Sequence, residues 1–373
     1  MSTTSTPATS TPATSTFEIR RSDTPVPSAE RAEAMAAPTF GTVFTDHMAR
    51  ASWSLADGWH DRRVDKYGPL LLDPATAVLH YAQEIFEGLK AYRHADGSVW
   101  TFRPSANAAR FARSAHRLAL PELTEADFLG AITALVATDV DWVPSGEETS
   151  LYLRPFMYGS ERFLGVRPSR KAEFLVIASP VGPYFAHGVQ PVSIWVAQDY
   201  HRVGAGGTGA AKCGGNYAAS LLPQQEAYGH GCEQVCFLDA ATNSVLEELG
   251  GMNVFLVRAD GSVSTPELTG SILEGVTRSS VIQLLTDAGR EVSERRITLA
   301  ELLAGVGDGS VAELFACGTA AVITPIGRLA GEGFDTTVAD GVAGDVTMRV
   351  RAELTDIQYG RTTDRHSWLR RLV

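Results

Sequence analysis

Lysine is scarce in this chain of 373 residues. Lysine and arginine together number 32, and only four of them are lysines (Lys66, Lys90, Lys171 and Lys212), which leaves 28 arginines. Arginine stays protonated in proteins, whereas a lysine amine can lose its proton and attack a carbonyl. A lysine retained where arginine carries nearly all of the positive charge is therefore a candidate for chemistry that arginine cannot perform.

Cysteine, long apolar runs and positive charge are also in short supply, and each shortage excludes a class of protein. The four cysteines are too few and too scattered for a disulfide framework, and no further His or Cys cluster completes a zinc site beside Cys232 and Cys236. No apolar run approaches the roughly 20 residues that span a bilayer. The net charge of −11 argues against nucleic acid or an anionic membrane as a partner. We therefore predict a cytoplasmic protein with reduced thiols.

The length of the chain favours two domains, because it exceeds the size at which a single core usually stops growing. Ser-Thr-Pro-Ala-Thr occurs at 5–9 and again at 10–14. Such a segment cannot bury a core, and it lacks the basic start and apolar middle of a signal peptide. We expect a disordered head over 1–39, with order beginning between Phe40 and Trp59. A small α/β domain should span 40–180, an interdomain loop 181–190, and a large domain 191–373.

The apolar pattern predicts an α/β fold with mixed sheets and antiparallel hairpins. Predicted strands cover 78–81, 86–93, 99–103, 150–155, 173–179, 191–197, 234–239 and 252–258. Predicted helices cover 104–120, 122–140, 216–228 and 277–288, and Pro223 should kink or shorten the third of these. The alternation of strands and helices is too irregular for a doubly wound dehydrogenase fold or an eight-stranded barrel. No G-x-G-x-x-G motif follows a strand, so dinucleotide binding is not supported.

The stretch that contains Lys212 runs from Val203 to Ser220 and is rich in glycine. A Walker-type phosphate loop needs Gly-Lys-Ser/Thr, but Lys212 lies between Ala211 and Cys213, so that pattern fails. Two interpretations stay open on this stretch alone. The lysine is either solvated on a flexible loop, or it is partly desolvated and forms a Schiff base with a bound carbonyl cofactor.

Seven short motifs elsewhere in the chain bear on that choice. In order, they are Phe86-Glu-Gly-Leu-Lys-Ala-Tyr92, Tyr152-Leu-Arg-Pro155, Ala211-Lys-Cys-Gly-Gly-Asn-Tyr217, Glu248-Leu-Gly-Gly-Met-Asn-Val-Phe255, Leu273-Glu-Gly-Val-Thr-Arg278, Cys317-Gly-Thr-Ala320 and Asp356-Ile-Gln-Tyr-Gly-Arg361. Together they resemble the class IV pyridoxal-phosphate aminotransferases, and most closely the branched-chain amino-acid aminotransferases, over roughly residues 40–365.

The resemblance implies a two-domain fold-type-IV enzyme, similar to D-amino-acid aminotransferase, that depends on pyridoxal 5'-phosphate. It also implies reversible amino transfer between leucine, isoleucine or valine and 2-oxoglutarate. A homodimer is expected, since this family builds its pocket partly from the partner subunit. The same-fold alternatives are a D-amino-acid aminotransferase and an aminodeoxychorismate lyase, and the Asp356–Arg361 ending and the chain length argue against both. A non-catalytic binding protein of the same fold is the alternative from another class.

The resemblance assigns cofactor roles to residues of this chain. Lys212 matches the lysine that holds the cofactor and moves a proton during transfer. Glu248 matches the carboxylate that faces the ring nitrogen, although without the resemblance the residue types cannot separate it from Glu247. Tyr217 matches the donor to the phenolic oxygen. The remaining matches surround the phosphate, near or at the start of the predicted helix 277–288 or reaching toward it: Arg110, Leu273, Val276, Thr277 and Thr319.

Substrate roles follow from the same resemblance. Tyr81, Phe86 and Tyr184 resemble an aromatic pocket for a branched side chain, while Tyr152 and Arg154 resemble a strand that handles carboxylates. The amides of Thr319 and Ala320 are expected to meet the α-carboxylate. The bland alternative is that the aromatic residues belong to an ordinary core and that Arg110 is an exposed helix arginine.

One departure from the family concerns oxidation. Some members carry a redox Cys-x-x-Cys directly after the Gly-Thr-Ala motif, but this chain has Ala321 and Thr324 at those positions. We therefore expect that redox switch to be absent.

Overall fold

The computed structural model describes residues 14–36, 38–183 and 188–373, and two mixed nine-stranded sheets organise them. The first sheet has the order β1-β3-β2-β8-β7-β5-β6-β18, and β4 pairs with β7. Its strands are β1 (Glu18–Ile19), β2 (His47–Ser54), β3 (Gly58–Lys66), β4 (Glu84–Phe86), β5 (Leu89–Arg93), β6 (Val99–Phe102), β7 (Ser150–Gly159), β8 (Lys171–Val181) and β18 (Leu369–Arg371). Only the short β1 pairs in parallel, with β3, and the other pairs are antiparallel.

The second sheet has the order β11-β10-β9-β16-β15-β12-β13-β14, and β17 pairs with β16. Its strands are β9 (Val192–Ala197), β10 (Gln234–Leu238), β11 (Leu246–Leu249), β12 (Asn253–Arg258), β13 (Val263–Pro266), β14 (Val292–Arg295), β15 (Val311–Gly318), β16 (Val322–Gly331) and β17 (Phe334–Thr337). Parallel pairing joins β9 to β10 and β16, and β13 to β14. The mixed sheets agree with the predicted fold class.

Nine α-helices flank the two sheets in the described part of the chain. They are α1 (Ser28–Ala36), α2 (Val78–Tyr81), α3 (Pro104–Arg117), α4 (Glu125–Thr138), α5 (Gly214–Ala218), α6 (Leu221–Gly229), α7 (Val276–Asp287), α8 (Leu299–Gly307) and α9 (Asp345–Gln358). Local sequence determines several of their starts. Pro104 begins α3, where its missing N–H costs nothing, and the Thr124 hydroxyl accepts from the Asp127 amide at 3.1 Å to cap α4.

Each sheet has its own apolar core. In the first, Phe111 of α3, Phe128 of α4 and Phe174 of β8 are fully buried, with ring centroids 5.5 to 6.4 Å apart. In the second, the rings of Phe255 and Phe315 stack at 5.0 Å across the β12–β15 pair. Such aromatic contacts stabilise beyond the area they bury. In the described part of the chain, no helix has the length and apolar character to cross a membrane.

The head of the chain is more ordered than its composition predicts. Residues 1–13 lie outside the described residues, but Phe17 is buried in the first core, β1 pairs with β3 and α1 forms within the segment expected to be disordered. The Ser22 amide also donates to Nε2 of His47 at 2.7 Å. The expectation of order beginning only after Phe40 is therefore wrong, because Phe17 supplies an apolar anchor just after the Ser/Thr/Pro repeats.

Three further expectations need correction. Residues 78–81 form the helical turn α2 rather than a strand, and Ala82 ends it in a left-handed conformation. The predicted helix 216–228 is two helices, α5 and α6, and Pro223 lies in the first turn of α6, where its missing N–H breaks no helical bond. The expected large domain, 191–373, loses its end to the first sheet, because β18 pairs with β6. The chain passes between the sheets after Val181 and before Val192.

Candidate active site

Lys212 lies where the two sheets meet, at the end of the glycine-rich loop that leads into α5. Its backbone is tied to the first sheet and its helices: its amide donates to the Ser114 hydroxyl of α3 at 2.9 Å, and its carbonyl accepts from the Phe86 amide at 2.9 Å. The neighbouring Ala211 and Cys213 are buried in the same core. The lysine is thus not a solvated residue of a flexible loop, because its backbone is held from both sides.

The Lys212 amine is surrounded by aromatic rings. Nζ donates to the Tyr217 hydroxyl at 2.6 Å and lies 4.7 Å from the Phe86 ring centroid. The Phe86 and Tyr217 rings are themselves in contact, with centroids 4.8 Å apart. Two of the predicted site residues are therefore brought directly onto Lys212. Aromatic faces attract the amine while it is charged and limit its access to water.

Glu248 of β11 faces this amine from the second sheet. It is 2% exposed, and one oxygen, Oε1, accepts from the Leu273 amide at 2.8 Å and lies 3.0 Å from Nη1 of Arg202. Burial raises the pKa of Glu248 to about 7, against the opposing effects of Arg202, the Leu273 amide and Lys212. A desolvated carboxylate of this kind is suited to a cationic partner that a ligand supplies.

Glu247 lies on the opposite face of the same strand, because successive side chains of a strand alternate. Its Oε1 accepts from the Ser271 hydroxyl, and the residue lines a separate cavity of about 220 Å³ with Asp239 and Arg296. Burial also raises the pKa of Glu247. The choice between the two glutamates, open from residue types alone, is thus a matter of which face of β11 points to Lys212, and that residue is Glu248.

Arg202 is a residue of this site that the motifs do not contain. It is buried, and Nη1 contacts both Glu248 and the Ser271 carbonyl, the latter at 3.0 Å. A buried carboxylate is costly unless it is paired, so Arg202 offsets part of the cost of placing Glu248 here. Its position at the start of the glycine-rich stretch was the one available signal.

Arg110 is buried on α3, and its strongest contacts are with another carboxylate. Nε and Nη2 donate to the two oxygens of Glu87 at 2.7 and 2.9 Å, and Nη1 donates to the Glu274 carbonyl at 3.0 Å. Burial acts to raise the pKa of Glu87, but the charge and hydrogen bonds of Arg110 hold it below its usual value. The predicted bidentate contact thus exists, with Glu87 as its acceptor. Glu87 lies in the first motif, yet its role required the fold.

The segment 273–277 connects these groups to the start of α7. The Leu273 carbonyl accepts from Nδ2 of Asn253 at 3.1 Å while its amide holds Glu248. Val276 and Thr277 form the buried first turn of the helix, whose first amides have no partner within it. Amides at a helix start favour an anion such as phosphate. Leu273, Val276 and Thr277 are therefore linked to Arg110 through the neighbouring Glu274 carbonyl.

The side of Phe86 away from Glu248 carries the predicted carboxylate-binding strand. The Arg154 guanidinium lies 4.9 Å from the Phe86 ring centroid, and Nη2 donates to the Tyr152 hydroxyl at 3.1 Å. Nε of Arg154 is buried and meets no hydrogen-bond acceptor among the described residues. Gly88 makes this packing possible, because a Cβ there would collide with the Tyr152 hydroxyl.

Two cavities open beside Tyr152, and the Phe40 ring, 4.9 Å from the Tyr152 centroid, lies between them. One, of about 310 Å³, is lined by Tyr152, Arg154 and Ile177. The other, of about 570 Å³, is lined by Lys90, Val181 and Ala320 among others. Space for a small organic ligand therefore adjoins the residues that carry the charge.

The other predicted substrate residues divide. Thr319 and Ala320 form the turn between β15 and β16, next to the larger cavity. Tyr81 lies on the exposed end of α2, where its hydroxyl donates to the Leu164 carbonyl, and none of its contacts in the described ranges joins it to Lys212 or Phe86. Tyr184 lies outside the described residues.

The chain is similar to known aminotransferases in both sequence and fold. A family model described as amino-transferase class IV matches residues 84–329. A branched-chain-amino-acid aminotransferase of Mycolicibacterium smegmatis is 51% identical over 360 residues, covering 95% of this chain and 98% of that protein. The crystal structure of the Escherichia coli branched-chain amino acid aminotransferase matches with TM-score 0.72 and 28% identity, over 87% of this chain and 100% of its own. The T.th. enzyme complexed with N-(5'-phosphopyridoxyl)-L-glutamate matches with TM-score 0.71 and 28% identity, over 87% and 99%.

Proposed function

The chain belongs to the amino-transferase class IV family, and on that premise we propose that it transfers amino groups between leucine, isoleucine or valine and 2-oxoglutarate. The products are the branched-chain 2-oxo acids and glutamate, and the reaction is reversible. The observation that carries this proposal is the opposition of the Lys212 amine and the buried Glu248 carboxylate on two sides of one site.

The residues present fit pyridoxal 5'-phosphate, on which this family depends. When bound, the cofactor supplies an electron sink that stabilises negative charge at the substrate α-carbon. Glu248, desolvated and still short of a full cationic partner, would hold the ring nitrogen protonated, and Arg202 keeps the carboxylate ionised. The start of α7 (Val276, Thr277), with Leu273, Arg110 and Thr319 nearby, would hold the phosphate.

Lys212 has two tasks in this proposal. It holds the cofactor covalently before substrate arrives, and its freed amine then moves the proton at the substrate α-carbon. Tyr217 donates to the phenolic oxygen of the cofactor and, at 2.6 Å from Nζ, keeps the amine in place. Phe86 covers the amine on another side and limits its access to water.

Two unlike side chains must enter the same pocket in turn. The Phe86 and Tyr152 rings, together with Tyr184, suit a branched apolar side chain, while the carboxylate of 2-oxoglutarate needs a donor. Arg154 is our candidate, because its Nε is buried without an acceptor among the described residues and the adjoining cavity is large enough for a small acid. The amides of Thr319 and Ala320 would receive the α-carboxylate that both substrates share.

We also propose that the protein is a cytoplasmic homodimer. Large apolar side chains are exposed around Tyr81, including Leu71, which is fully exposed, and Leu79, Leu164 and Val166. A surface of this kind marks a contact with another protein. In a dimer, Tyr81 would serve the pocket of the partner subunit, which accounts for its distance from the other predicted residues of its own chain.

The cofactor's absorption tests the proposed function. The full-length protein, loaded with pyridoxal 5'-phosphate, should show a visible band that leucine bleaches and 2-oxoglutarate restores. D-leucine serves as the control and should leave the band unchanged. Bleaching by D-amino acids alone would favour the same-fold D-amino-acid aminotransferase. A protein that binds the cofactor but responds to no amino acid would be a non-catalytic binding protein.

A further inference from the structure

Lys90 is a buried lysine for which the proposed chemistry has no use so far. It lies on β5 directly opposite Tyr152 of β7 and is 8% exposed. Cross-strand partners place their side chains on the same face of a sheet, so Lys90 points to the side that holds the substrate pocket. Its Nζ donates to the Ala320 carbonyl at 2.9 Å, a contact between residues 230 apart in the chain.

The charges around Lys90 leave its amine directed at that carbonyl. Glu148 is the nearest carboxylate to act on Lys90, but both of its oxygens are held by Arg351 at 2.7 Å. Burial lowers the pKa of Lys90 to about 8, Glu148 opposes this effect and Arg351 adds to it. Burying a cation here is costly, and the Ala320 carbonyl is the acceptor that offsets the cost.

The turn that contains Ala320 is strained. It joins β15 to β16 in three residues, and Val322, the first residue after it, has a φ of 61°. This left-handed conformation is unfavourable for a β-branched side chain, which therefore needs support from its surroundings. Gly318, at the other end of the turn, packs against Met252 so closely that a Cβ there would crowd it. The Lys90 contact supplies a further hold in the middle of the turn.

We propose that Lys90 is a positioning residue for the α-carboxylate of both substrates. Its ammonium fixes the Ala320 carbonyl and thereby holds the strained turn with the amides of Thr319 and Ala320 facing the substrate. This inference rests on the proposed function, because it takes the α-carboxylate as the ligand of those amides. It goes beyond that function by giving a role to a residue 230 positions away in the chain.

The physical reason is that a charged donor does two things at once. A hydrogen bond from an ammonium is stronger than one between neutral groups, so it holds the turn against its strain. The ammonium also places a positive charge beside the turn, in a setting of low dielectric where it favours an anionic ligand. Lys90 and Arg154 then have separable effects. Arg154 acts on the second carboxylate of 2-oxoglutarate, whereas Lys90 acts on the carboxylate that leucine and 2-oxoglutarate share.

The test compares Lys90→Met with the wild-type holoenzyme. Methionine keeps the approximate volume of the side chain and removes the donor. We expect KM for leucine and KM for 2-oxoglutarate to rise together by about tenfold or more, with a much smaller change in kcat. Lys171→Met is the matched control, because Lys171 is an exposed lysine at the start of β8, and it should leave both constants unchanged.

Ligand binding gives a second measurement that does not depend on turnover. Calorimetric titration of the holoenzyme with 4-methylvaleric acid should show the same loss of affinity in Lys90→Met, while the neutral 4-methylpentanamide should bind both proteins alike. If Lys90→Met does not fold, Lys90→Gln, which retains an N–H donor, should show a smaller loss of the same kind.

Three results would overturn the inference. Unchanged KM values in Lys90→Met would remove the positioning role while leaving the proposed function intact. A rise in KM for 2-oxoglutarate alone would instead place Lys90 at the second carboxylate. Equal losses for the acid and its neutral amide would show general damage to the pocket. A wild-type protein without leucine-dependent bleaching would overturn both the inference and the proposed function.

Discussion

The two halves of the candidate site balance their charges in different ways. In the cofactor half (Lys212, Tyr217, Glu248 and Arg202), each charged group already meets another group of the protein, at 2.6 to 3.0 Å. In the substrate half (Phe86, Tyr152 and Arg154), a buried guanidinium nitrogen has no acceptor in the described part of the chain, and cavities adjoin it. The first arrangement suits a group that stays bound, and the second suits ligands that come and go.

The difference also concerns where the partners come from. The cofactor half joins a loop before α5, the strand β11 and the start of α7, all from the second part of the chain. The substrate half lies on β4 and β7 of the first sheet. Substitutions on the two sides should therefore affect different steps, with cofactor-side changes reducing all reactions and substrate-side changes separating one substrate from another.

The largest effect among these is expected at Glu248. Glu248→Gln keeps the shape and removes the charge that would hold the ring nitrogen protonated, so kcat should fall by on the order of a hundredfold or more while cofactor stays bound. Glu247→Gln is the matched control on the opposite face of β11 and should change kcat far less. Steady-state kinetics and the absorption spectrum check both. The reverse order of effects would place the ring against Glu247.

A smaller and selective effect is expected at Arg154. Arg154→Gln removes the donor for the second carboxylate, so the half-reaction with 2-oxoglutarate should slow by about tenfold to a hundredfold more than that with leucine. Single-turnover absorption measurements follow each half-reaction separately. Equal losses in both would make Arg154 a structural residue of β7, and the boundary between the two halves would then lie elsewhere.

The pH dependence of stability should also distinguish the halves. Burial raises the pKa of Glu248 from 4.5 to about 7, so the native state binds more protons than the unfolded state between these values. The contribution of this group is therefore greatest below pH 4.5 and is lost as the pH rises toward 7. In cofactor-free protein, Glu248→Gln should gain stability relative to wild type between about pH 5 and 7.5, by at most about 3 kcal/mol. Urea unfolding at the two pH values measures this, and a constant difference between the proteins would contradict it.

The smallest effect is expected on oxidation. All four cysteines are buried, and burial raises the pKa values of Cys236 and Cys317 to about 12, which disfavours the reactive thiolate. With Ala321 and Thr324 in place of a cysteine pair, mild peroxide followed by a thiol reductant should leave activity largely unchanged. Mass spectrometry and activity assays check this together. Reversible inactivation that tracks modification of Cys213, next to Lys212, would reveal a switch of another kind.

Local motifs predict much of this site because their residues are close in sequence. Lys212 and Tyr217 are five apart, and the fold places the amine on the hydroxyl. The family, the pyridoxal-phosphate dependence and the mixed-sheet fold, all predicted from seven such motifs, are confirmed by the similarity to known aminotransferases. The individual roles of the site residues stay predictions.

The remaining features depend on contacts between distant segments. No periodicity or motif pairs Arg202 with Glu248, or Lys90 with Ala320, because those pairs form only when separate strands and loops meet. The order of the head likewise depends on a single buried residue, Phe17, which composition cannot weigh against the polar repeats before it. Burial and long-range pairing are thus the information that this sequence does not display.

The central claim is that Lys212, among four lysines, holds the cofactor. Borohydride reduction of the loaded full-length protein, followed by proteolysis and mass spectrometry, fixes the label on whichever lysine carries it. We predict that the labelled peptide contains Lys212 and that Lys212→Arg, which cannot form the linkage, yields no label and no turnover. A label on Lys66, Lys90 or Lys171, or turnover by Lys212→Arg, would contradict the account.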